Sequence, residues 1–218
     1  MKRQITYQKT FKGLEINTDP EREQGCYLDI LETLFTQLCH ATNRYSRICF
    51  IRFDVHFPRN YYSVNPEGDF RRFIADLIRA LKVKGLAPRY LWREALGEKA
   101  DLPHLHVVLL LKGHDIKSPY PFFKEAEKRW ARHLGLCTAK GLIDWCPPRN
   151  PNHLPNGIRL DKSLNNFPYL FGRVFKWGSY LAKTREDELN PNCRSFGYSQ
   201  FDPEESEDIQ PPHEAFRC

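Results

Sequence analysis

The sequence predicts an α+β domain, a mostly antiparallel central sheet with helices packed on one face. Three observations carry that expectation. In several stretches apolar residues recur at spacings of three and four, the period of an amphipathic helix. In others they alternate with polar residues, the period of a strand. The strands follow one another as hairpins instead of through the helical crossovers that a parallel sheet requires.

Residues 1–24 are polar and mixed in charge without a clear period, so an arm is expected there. From Cys26 to Arg47, Leu28, Leu31, Leu34, Phe35 and Leu38 make the apolar stripe of a first helix. The stretch RICFIRFDVHF sets Cys49, Ile51, Phe53, Val55 and Phe57 on one face of a strand. Its other face holds Ile48, Phe50, Arg52, Asp54 and His56, and so turns polar towards its end. Asn65 and Pro66 are suited to the N-cap and first position of a second helix, striped by Phe70, Phe73, Ile74, Leu77, Ile78 and Leu81 and closed by Gly85. Arg89–Ala95 and Pro103–Leu111, joined by LGEKAD, form a hairpin. Pro119–Leu134 is a third helix, and GLIDW and GIRLD are short strands. Between them the four prolines of CPPRNPNHLPN cannot donate to a ladder, so that insert is an exposed loop. Phe167–Lys183 is the last helix. One domain over residues 25–200 and a solvated acidic tail over 201–218 are the expected organisation.

A chain of 218 residues buries enough surface to fold without disulfides or a structural metal, so a metal site here would be chemistry first. Its seven cysteines are odd in number and contain no CxxC pair, the usage of reduced cytoplasmic thiols. The longest apolar run, Val107–Leu111, is far shorter than the roughly 20 residues of a spanning helix. The N-terminal MKRQITYQKTFKG lacks the apolar core of a secretion signal, so no membrane is expected. No GxxxxGK[ST] is present, which leaves an ATPase motor on this chain unsupported. The net charge of +6 hides an asymmetry: residues 201–218 hold six acidic residues and one basic, leaving 32 basic and 21 acidic residues, or +11, in the first 200. A basic body of this kind attracts polyanions, nucleic acid foremost.

His104 and His106 open the most apolar strand, and residues i and i+2 of a strand share a face, so the two imidazoles can share one metal ion. With the hairpin turn centred near Lys99, Glu94 lies across from His104 and completes a two-histidine, one-carboxylate set; a surface ion pair with Arg93 or Lys99 is its alternative. On the last helix, at about 100° per residue, Arg173, Lys176, Tyr180 and Lys183 fall on one face and the apolar residues on the other. Cations around Tyr180 favour a phenolate nucleophile and attract phosphate, although a solvated basic face with a surface tyrosine has the same spacing.

In order and wording, RFDVHFP, YLWREAL, HLHVVLLL and WGSYLAK, with RSFGYS beyond, resemble a prophage-borne family related to the replication proteins of filamentous phages (inoviruses), of the YagK/YfjJ C-terminal domain type. That family in turn resembles the HUH endonuclease superfamily of rolling-circle replication initiators. The likeness runs from Cys26 to Gln200. It implies a ferredoxin- or RRM-like HUH endonuclease fold that works in the cytoplasm of a bacterial host. The implied activity is metal-dependent, sequence-specific nicking and rejoining of single-stranded DNA through a 5′-phosphotyrosine. By this resemblance His104 and His106 are the HUH pair, which with Glu94 hold Mn²⁺ or Mg²⁺; Tyr180 is the nucleophile and Lys183 its helper. Arg52, Asp54 and His56 match the first strand motif and, with Arg173 and Lys176, are expected at the DNA. The implied partners are a hairpin-forming single-stranded replication origin and the host polymerase and helicase. Trp92, Tyr90 and Trp177 are available either to the core or to unpaired bases. The rival readings are a non-cleaving DNA-binding protein of the same fold and a metal-dependent phosphodiesterase that uses water.

Overall fold

The computed structural model describes residues 3–59, 61–95, 102–114, 116–146, 154–184 and 195–200. The turn near Lys99, most of the proline-rich insert and the acidic tail lie outside the described residues. In chain order the elements are β1 (Ile5–Thr6), β2 (Thr10–Phe11), β3 (Leu14–Glu15), β4 (Cys26–Tyr27), α1 (Leu28–Arg44), β5 (Arg47–Val55), α2 (Pro66–Val83), β6 (Arg89–Ala95) and β7 (His104–Lys112). There follow α3 (Tyr120–His133), β8 (Ile143–Asp144), β9 (Ile158–Asp161), α4 (Phe167–Gly178), a 3-10 helical turn over Ser179–Ala182, and β10 (Phe196–Tyr198).

The main sheet runs β10-β6-β7-β5-β8, with β9 on the same edge of β5 as β8, and all its pairings are antiparallel. The α+β class with a mostly antiparallel sheet is as the sequence predicts, but the helices are not confined to one face. Because β5 and β7 are apolar on both sides, each face needs its own cover. On one face Ile48, Phe50, Val108 and Leu110 pack with residues of α1 and α4. On the other, Cys49, Ile51, Phe53, Val107 and Leu109 pack with residues of α2 and α3.

Local chemistry sets the element ends. Asn65 caps α2 by accepting from the Gly68 N–H at 2.9 Å. Past its end, Gly85 at φ +73° lets the Gly85 and Leu86 N–H groups return to the carbonyls of Lys82 and Leu81, at 2.9 and 3.2 Å. On the outer edge of β5, β9 pairs with residues 47–50 and β8 with 54–55. The gap is bridged by the Asn156 amide, whose oxygen accepts from the Arg52 N–H at 3.1 Å and whose nitrogen donates to the Arg52 carbonyl. At the far end of β5, the buried Trp130 indole donates to the His56 carbonyl at 2.8 Å.

The N-terminal residues do not form a separate arm. Leu14 and Ile16 are buried in the α1/α4 core, β1 pairs with β4, and Asn17 donates through its backbone N–H to Ser179 Oγ at 2.9 Å. Among the described residues no helix is long and apolar enough to cross a membrane.

Candidate active site

Sheet register brings the histidines to the α1/α4 side. Val108 and Leu110 anchor β7 in that core, so His104 and His106, on the same alternation, project beside it at the strand's start. Their Nε2 atoms face each other at 3.1 Å, with ring centroids 4.6 Å apart. His106 is 3% exposed.

Across the β5–β7 ladder the partner of His106 is Asp54, and Asp54 Oδ1 stands 2.8 Å from His106 Nδ1. Burial by itself would raise this carboxyl, but the hydrogen bond and charge of His106, together with Arg52 and His104, outweigh it and hold the group at about 2. A carboxylate beside Nδ1 favours the tautomer that carries its proton there, which would leave the Nε2 lone pair of His106 facing His104. The His56 ring stacks on His104 at 5.3 Å, and burial, then the nearby His104, push the His56 imidazole below its ordinary value.

Tyr180 reaches this group from the 3-10 turn rather than from α4. Lys183, in extended conformation, bridges Cys26 of β4, and the Thr184 N–H donates to the Gly25 carbonyl at 3.1 Å; this contact ends the helix and tightens its last turn. Tyr180 then sets its ring edge-on to His106, centroids 5.2 Å apart at 87°. The Arg52 guanidinium lies 4.2 Å from the ring centroid and Lys183 Nζ 5.5 Å from it. The turn is also held from the sheet: Arg93, opposite His106 on β6, donates to the carbonyls of Leu181, at 2.8 Å, and of Lys183.

Three sequence-based placements are corrected. Glu94 pairs with Leu105, not His104; the register is shifted by one residue, which puts Glu94 on the α2/α3 face, away from the histidines. The carboxylate beside the pair is Asp54. Arg52, expected at the DNA, is only 7% exposed and lies against Tyr180. Arg173 and Lys176, expected beside Tyr180, are engaged elsewhere: Lys176 pairs with Glu15 at 2.6 Å and Arg173 lies over Tyr169. Of the aromatics, Trp92 is buried, Tyr90 packs against the α2/α3 core and Trp177 against the α1/α4 core.

The facing Nε2 atoms of His104 and His106 are at the distance of a hydrogen bond between the rings and are also two donors that could share a divalent ion. Two imidazole nitrogens each about 2.0–2.1 Å from a shared ion stand roughly 3 Å apart, and the facing Nε2 pair has that spacing. Among the described residues no group of three or more His, Cys, Asp or Glu side chains is disposed to hold a metal. Nearby, burial pushes the Cys146 thiol up to about 12.

Residues 6–199 match the family model of the YagK/YfjJ C-terminal domain, nearly the whole chain. The chain belongs to this family. No curated protein and no solved structure matches it. Within this YagK/YfjJ domain the site gathers His104, His106, Tyr180 and Lys183 from the sequence-based set, draws Arg52, Asp54 and His56 from the expected DNA contacts to the histidine pair and Tyr180, and brings in Arg93, which the sequence had offered only as an ion-pair partner of Glu94. No sequence signal pointed to Arg93 at the site, because the expected register placed Glu94 there instead.

Proposed function

We propose that this YagK/YfjJ domain is a metal-dependent HUH-type endonuclease and strand transferase. It nicks and rejoins single-stranded DNA through Tyr180 and so starts rolling-circle replication of a phage, prophage or plasmid. The observation that carries this reading is the Tyr180 ring standing edge-on to His106, next to the facing Nε2 atoms of His104 and His106. The HUH-like wording of the histidine strand and the tyrosine segment supports it.

An ion such as Mn²⁺ or Mg²⁺ held by His104 and His106 would polarise the scissile phosphate. The Tyr180 oxygen attacks phosphorus, the P–O3′ bond breaks, and the leaving 3′-oxygen gains a proton while the phenol loses one. The product is a 5′-phosphotyrosine and a free 3′-OH that a polymerase can extend; attack by a 3′-OH reverses the step and rejoins the strand. Lys183 supplies positive charge where negative charge collects on the phenolic and phosphoryl oxygens. Asp54 keeps His106 in the tautomer that presents Nε2.

The test mixes protein, Mn²⁺ and a labelled single-stranded origin oligonucleotide. A covalent adduct that survives SDS is expected, mapped by mass spectrometry to the peptide with Ser179, Tyr180 and Leu181. Tyr180→Phe loses cleavage and adduct together and keeps DNA binding. Cleavage without an adduct identifies a water-using phosphodiesterase, and binding without cleavage a non-cutting DNA-binding protein.

A further inference from the structure

Arg52 stands where a surface DNA contact is expected, yet it is nearly enclosed. Its guanidinium carbon is 4.2 Å from the Tyr180 ring centroid, and its Nη2 is 3.5 Å from Asp54 Oδ1. Asp54 Oδ1 is 2.8 Å from His106 Nδ1, and the His106 ring returns to the Tyr180 ring at 5.2 Å. The four side chains therefore close a cycle: tyrosine, arginine, aspartate, histidine. The Asn156 amide pins the Arg52 backbone from the open edge of β5.

The cycle is not explained by stability. The Arg52 Nε–H is buried and meets no hydrogen-bond acceptor among the described residues. Enclosing a cation with an unsatisfied donor is unfavourable, and a buried ion pair replaced as a whole by apolar side chains is often neutral or more stable. A buried polar group kept under those conditions calls for a functional account.

We propose that Arg52 is a positioning residue for Tyr180. Its guanidinium, stacked on the phenol ring and tethered by Asp54, fixes the ring edge against His106 so that the hydroxyl is presented at the histidine pair. A planar guanidinium is suited to this because it can stack on an aromatic face and donate sideways to a carboxylate at once, which an ammonium cannot. The inference rests on the endonuclease reading above and deepens it: the polar face of β5 serves the nucleophile's geometry, not the grip on DNA.

The experiment compares wild type, Arg52→Met and Arg52→Lys with Mn²⁺ and a labelled single-stranded oligonucleotide. It measures the rate of SDS-stable adduct formation at saturating DNA, the Kd for DNA from Tyr180→Phe backgrounds, and the melting temperature. Arg52→Met, which leaves Asp54 with one partner fewer, is expected to melt below wild type, to bind DNA within about twofold, and to form adduct about 10–100-fold more slowly, the loss that a misplacement of about 1 Å produces. Arg52→Lys is expected to be intermediate in rate, and it carries the test if Arg52→Met does not fold. Adduct formation by both variants at the wild-type rate overturns the inference alone. A weakened Kd with an unchanged saturated rate also overturns it and returns Arg52 to the DNA. Absence of any adduct with wild type overturns the endonuclease reading, and this inference with it.

Discussion

Glu94 and Arg93 are neighbours in sequence and lie on opposite faces of the sheet, and their chemistry differs accordingly. Arg93 clamps the Tyr180 turn. Glu94 is 4% exposed on the α2/α3 face, where burial, reinforced by Glu67 and opposed by Arg71, pushes its carboxyl up to about 7. The folded state thus favours the protonated acid. Below the ordinary value of 4.5 there is no penalty; it grows as the pH climbs to about 7 and is constant above. Glu94→Gln should therefore raise the melting temperature relative to wild type more at pH 8 than at pH 4.5, by about 2–4 °C for each kcal/mol relieved. Equal shifts at the two pH values would assign the titration to another group. The same variant separates Glu94 from the metal. Added Mn²⁺ should stabilise wild type and Glu94→Gln alike and leave the His104→Ala, His106→Ala double variant unmoved, since a ligand that binds only the folded state raises its melting temperature.

At the scale of elements, periodicity located, among the described residues, the four helices and the five main-sheet strands that lie before α4 to within a few residues. It did not foresee β10, three residues long, or the two-residue strands before α1, because so short a stretch has too little alternation to register. β10 also depends on a contact that no local pattern encodes. Gly197 pairs with Trp92 so closely that a Cβ there would meet Trp92 Cε2 and Cζ2 at 2.5 Å. Trp92 is packed in the α2/α3 core and has little room to yield. Gly197→Ala should destabilise the protein by about 1–3 kcal/mol, read as a drop in melting temperature, and protection from hydrogen exchange should be lost first at β10 and β6. An unchanged melting temperature would mean that the strand accommodates the methyl group by sliding.

For the whole molecule the governing quantity is charge. Residues 201–218 hold six acidic residues and one basic, against a net +11 in the first 200. In the DNA-binding reading, that tail competes with the polyanion for basic surface. Deleting residues 201–218 should tighten non-specific single-strand binding at low salt and steepen its dependence on salt. The same affinity with and without the tail at about 50 mM salt would show that it takes no part.

From sequence alone came the α+β class, the antiparallel hairpins, and the pairing of His104 with His106 on one face, all of them consequences of periods that each element carries within itself. Tertiary structure decided which neighbours the histidines meet. A shift of one residue between β6 and β7 removed Glu94 and put Arg93 in its place, and the β5–β7 ladder set Asp54 against His106. The 3-10 turn after α4, with Lys183 bridged to Cys26, set Tyr180 against Arg52 and His106. Register and helix ends are fixed by contacts between segments distant in the chain, so a pattern read along one segment does not contain them.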